Sequence, residues 1–103
     1  MSTVRVTARV LDYLSGTQAW ADEVADRPER LGELSDRTLM RMLIGAPAHK
    51  DGSITLDLAW PQRDALRVFA EAMENAAAQN LPDPDALAEL NAARALLRRL
   101  AGI

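Results

Sequence analysis

Two stretches of this chain alternate apolar with polar residues, and the rest repeats mostly at helical spacing. Ser2 to Ala8 places Val4 and Val6 on one side, Arg5 and Thr7 on the other. Ile54, Leu56, Leu58 and Trp60 alternate with Thr55, Asp57 and Ala59, the clearest strand in the chain. Two strands so far apart are too few for an open sheet with its own core. They are expected to pair with each other, or with the same strands of a second copy. This constrains the fold to α+β, predominantly helical: a single small domain over residues 1–103 with about five helices, a C-terminal antiparallel helix hairpin and a minor two-stranded β element. The expected order is β-α-α-α-β-α-α.

The helices are read from their stripes and caps. Val10, Leu11 and Leu14 share helical spacing, and Ser15-Gly16 stops them. Thr17 is a candidate cap for a helix with Trp20, Ala21 and Val24 on its inner face, and Glu23 is placed to pair with Arg27. Pro28 then ends or kinks that helix. Ser35 is expected to cap a helix over 36–44, with Leu39, Met42 and Leu43 inward and Gly45 and Pro47 beyond its end. Residues 46–53 read as a loop that turns at Asp51-Gly52. Pro61 opens a helix striped by Leu66, Phe69, Met73 and Ala76 or Ala77. Asp83-Pro84 caps and starts the last helix, striped by Leu87, Leu90, Ala93, Leu97 and Leu100. Its acids come early and Arg94, Arg98 and Arg99 late, which complements the helix dipole. The expected core is Val6, Leu14, Val24, Leu39, Leu43, Leu56, Leu58, Trp60, Leu66, Phe69, Met73, Leu90 and Leu97.

Composition narrows function mainly by exclusion. There is no cysteine, so disulfides, thiolate metal sites and a cysteine nucleophile are ruled out. A net charge of −3 argues against coating nucleic acid by bulk charge, though not against a local basic patch. Arginine outnumbers lysine, and alanine is abundant; this points to a GC-rich bacterial coding sequence and gives a helix-favouring alphabet. The N-terminal segment lacks the pattern of a signal peptide, and no apolar run is long enough to span a bilayer, so a cytoplasmic protein is expected.

Catalytic chemistry finds little to work with. His49 is the only imidazole, set in a polar loop with no nucleophile elbow nearby. The acidic stretch Asp22, Glu23, Asp26, Glu29 and Glu33 reads as a solvated face rather than a catalytic pair. The glycines are scattered, with no phosphate-cradling motif. No catalytic residue, metal or cofactor is assigned.

Two non-enzymatic readings remain. Residues 25–45 resemble a helix-turn-helix: Leu31-Gly32 would end its first helix, and Ser35 would cap a recognition helix. Arg37, Arg41 and Lys50 would then face DNA, within a segment 35–50 that is locally basic. Pro28 and the extra turn residue Glu33 depart from that motif. The favoured reading is a small protein-interaction module of the adaptor or inhibitor kind, expected to be a homodimer. Trp20, Met40 and the acidic Asp22, Glu23 and Asp26 are its candidate contacts.

Overall fold

A computed structural model of the chain describes residues 2–25 and 34–102. The described residues are about 70% helical and form five helices and one two-stranded antiparallel sheet. The order is β1 (Ser2–Val6), α1 (Ala8–Ser15), α2 (Gln18–Val24), α3 (Leu34–Gly45), β2 (Ile54–Leu58), α4 (Trp60–Gln79) and α5 (Pro84–Ala101). This is the expected α+β, mostly helical architecture with its helix hairpin.

The two strands pair with each other, in the register Ser2↔Leu58, Val4↔Leu56 and Val6↔Ile54. Alternation does the rest. Val4, Val6, Ile54, Leu56 and Leu58 face the helices and are buried, while Thr3, Arg5, Thr55 and Asp57 cover the open face. A two-stranded sheet is marginal alone, and here the helices supply the core.

The strands end earlier than alternation implied. β1 stops at Val6, and Thr7 takes the extended backbone that precedes α1. β2 stops at Leu58, so Trp60 is the first residue of α4 rather than the last of a strand.

The connections follow local chemistry. Thr17 accepts a hydrogen bond from Trp20 N at 3.3 Å, so it caps α2. It also donates to Leu14 O at 2.6 Å, tying α2 to the end of α1. Asp83 accepts from Asp85 N at 3.0 Å, and Pro84 follows in the first turn of α5. Arg98 and Arg99 lie in the last turn, as the dipole argument requires. The helix α3 begins at Leu34, one residue ahead of the expected Ser35 cap. The expected break at Pro28 lies outside the described residues.

Packing shifts several expected core positions. Val6, Leu14, Leu39, Leu43, Leu56, Leu58, Leu66, Met73 and Leu90 are buried as expected. Phe69 and Leu97 are only partly buried, and Val24 and Trp60 are about two-thirds exposed, at 67% and 66%. In their place the core takes Met40, Leu96 and a set of alanines, Ala65, Ala70, Ala77, Ala86 and Ala93, on the facing sides of α4 and α5. Alanine lets two helices approach closely while costing nothing in helix propensity. Each fully buried Leu or Met adds about 1.5–3 kcal/mol relative to exposure.

Candidate interaction site

Three places concentrate polar or exposed apolar chemistry: the α2–α3 contact, the loop before β2, and the open end of the α4–α5 hairpin.

The α2–α3 contact holds most of the residues expected to form an interaction surface, and it turns them inward. Glu23, whose side chain is 10% exposed, accepts from Arg41 Nε at 2.6 Å and lies 3.4 Å from Arg37 Nε. Among the described residues its partners sit on α3, and the expected partner Arg27 lies outside them. Asp22 is buried at 3% exposure. Its Oδ1 accepts from Gln18 Nε2 at 2.8 Å, and its Oδ2 has no hydrogen-bond partner among the described residues. These contacts rotate α2, so Ala21 and Val24 face solvent while Trp20 packs partly buried against the core. Met40 is fully buried and packs in the core, where it offers no surface. Asp26 lies outside the described residues. Trp20, Asp22, Glu23 and Met40 therefore do not form one exposed face.

The same contact bears on the helix-turn-helix resemblance. That motif joins its helices by a turn of about three or four residues. The first helix of that motif, expected to end at Leu31-Gly32, and its turn lie almost wholly outside the described residues. Arg37 and Arg41, expected to face DNA, engage Glu23. Lys50 is exposed in the loop before β2.

That loop is ordered by side chains. Gly52 has φ +82°, a conformation natural to glycine, and its N–H donates to His49 O at 2.9 Å while His49 N donates to Ser53 O at 2.7 Å. Asp51 Oδ1 accepts from both Ser53 N and Ser53 Oγ, at 2.9 and 2.6 Å. Arg5, from β1, pairs with Asp51 and donates to Ser53 Oγ at 3.0 Å. These bonds, led by the Ser53 hydroxyl and amide with Arg5 adding to them, lower the Asp51 carboxyl from 3.8 to about 2. His49 Nε2 is hydrogen-bonded to Thr55 Oγ1 at 2.8 Å on the open sheet face. Both side chains are exposed. The arrangement anchors the loop.

The third place is a cleft of about 320 Å³ where α4 begins and α5 ends. Trp60, Arg63, Asp64 and Arg67 line it from α4, and Leu97, Leu100 and Ala101 from α5. Ala59 and Pro61 start α4 at Trp60, and this start sets the phase of the helix. Leu66, Ala70, Met73 and Ala77 point into the core, which leaves Trp60, Asp64, Arg67 and Glu71 along the outer side. Arg67 donates to Asp64 and Glu71, at 2.6 and 2.8 Å, and these two hydrogen bonds raise its pKa. The sequence does carry the signal for this site: counted from the helix start, Trp60 is in phase with the charged stripe at 64, 67 and 71. The strand alternation that ends at Leu58 masks it.

Comparison of the chain with protein-family models, with curated proteins and with solved structures finds no match in any of the three. No group of three or more His, Asp or Glu among the described residues is placed to hold a metal ion. No helix among them is long and apolar enough to cross a membrane.

Proposed function

We propose that this protein is a small non-enzymatic interaction module, and that it binds its partner at the Trp60 cleft. The observation that carries this reading is the 66% exposure of Trp60 at the mouth of a cleft floored by leucines. A tryptophan is costly to leave in water, and with arginine it is among the residues that most often anchor protein interfaces. The candidate contacts on α2 and α3 are not needed for this reading, since Met40 and Asp22 are buried. Nor is a homodimer needed, because the strands that could have sought a second copy pair with each other.

The test is capture of a partner from a lysate of the source cells, treated with nuclease, by the tagged protein and by Trp60→Ala. The expected result is a stoichiometric protein partner held by the parent and lost by the variant. Because Trp60 is exposed, the variant should unfold within about 0.5 kcal/mol of the parent. A parent that stays monomeric at micromolar concentration and retains no protein would overturn the proposal.

A further inference from the structure

We infer that the cleft selects an acidic, amphipathic protein segment, one that offers an apolar side chain flanked by carboxylates. This rests on the reading of the cleft as the binding site and adds the chemistry of its partner.

The charge distribution carries the inference. Residues 60–71 and 97–101 hold Arg63, Arg67, Arg98 and Arg99 against Asp64 and Glu71. That end of the hairpin is locally +2 in a chain of net −3, which leaves −5 for the rest. Arg98 follows Arg94 by one helical turn and adjoins the cleft residue Leu97 in sequence. Arg94 is engaged by Glu74 of α4 at 3.2 Å. Among the described residues Arg67 is held by Asp64 and Glu71, which are 43% and 48% exposed. Such solvated pairs are weak, so an incoming carboxylate can share the guanidinium. The apolar component fits Trp60, Leu97 and Leu100, in a space at the low end of ordinary ligand cavities.

The same charges argue against the other occupants. A two-fold dimer through this face sets each patch against its own copy, arginine facing arginine. A nucleic acid stacking on Trp60 would carry its phosphates beyond these arginines and across the rest of the chain, which is net acidic.

The experiment uses the full chain in a Trp20→Phe background, so that Trp60 alone fluoresces. Three probes are titrated at low salt: a peptide with leucine and glutamate at helical spacing, its lysine counterpart, and a single-stranded oligothymidylate. The glutamate peptide is expected to shift Trp60 emission to shorter wavelength, saturably, and to lose affinity as salt rises. With a labelled peptide read by anisotropy, Arg67→Gln with Arg98→Gln should weaken binding about tenfold or more, and Trp60→Ala should abolish it. Circular dichroism of the same variants checks that the fold is kept. Equal binding of the lysine peptide, preference for the oligonucleotide, or a shift of Trp60 emission with protein concentration alone would each overturn the inference. So would a failure of all three probes. In each of those cases a Trp60-dependent protein captured from lysate would still stand, which separates failure of the partner chemistry from failure of the site.

Discussion

Asp51 shows how a single side chain can organise a loop that the sequence marks only as a turn. Its carboxylate receives the Ser53 amide and hydroxyl on one oxygen and the Arg5 guanidinium on the other. Ser53 is buried, so Asp51 also gives this hydroxyl an acceptor. The consequence is a pH dependence with a definite sign. The folded carboxyl titrates near 2, below its ordinary 3.8, so the stabilisation is complete above that ordinary value. It is lost as pH falls from about 4 towards 2. An NMR titration of the Asp51 carboxyl should place it near 2, and Asp51→Asn should flatten the acid limb of stability over that window. A midpoint near 4 would show that the clasp does not form. The turn at Asp51-Gly52 was legible because glycine and aspartate punctuate locally. The clasp was not, since Arg5 is brought to Asp51 only by pairing of the strands.

At the scale of elements, the legibility of each helix tracks how local its determinants are. The start of α5 follows from Asp83 and Pro84, and its end carries Arg98 and Arg99, all readable in order along the chain. The phase of α2 depends instead on partners in α3. Trp20, Ala21 and Val24 make a plausible apolar stripe, yet Glu23 reaches Arg37 and Arg41, and Ala21 and Val24 turn outward while Trp20 stays partly buried. Tertiary ion pairs outweigh a short helix's pattern when the helix has only two turns of apolar residues to bury. Removing that anchor is therefore informative. Glu23→Ala should cost about 1 kcal/mol, since Arg37 at 21% exposure loses a charged partner while Arg41 at 57% exposure is left to solvent. The loss should appear in denaturant melts together with a fall in helix signal smaller than global unfolding. A cost near zero would place the hold on α2 elsewhere. Trp60 failed the sequence reading for a related reason. A strand read through Trp60 puts it inward, whereas a helix starting there puts it in phase with Asp64 and Arg67.

For the molecule as a whole, the radius of gyration of 13.2 Å matches the ~13 Å expected of a compact chain near 100 residues. Stability is nevertheless uneven across it. The α4–α5 hairpin buries residues along both helices, from Leu66 and Leu100 to Ala77 and Ala86, while α2 is attached by a polar contact and a partly buried Trp20. Native-state hydrogen exchange should find the slowest amides in α4 and α5 and the fastest helical amides in α2. Equal protection in α2 and α5 would contradict this division. The hairpin joins through a short connection and closes on itself, whereas the sheet does not. Its innermost pair, Val6↔Ile54, brackets α1, α2 and α3. During synthesis β1 leaves the ribosome ahead of β2 and has no strand partner until Leu58 has followed, roughly 3–10 s later at ordinary elongation rates. Through that interval Val4 and Val6 form an uncovered edge, open to any strand that meets it. The pace of translation from β1 to β2 thus sets how long the earlier-made strand must be shielded.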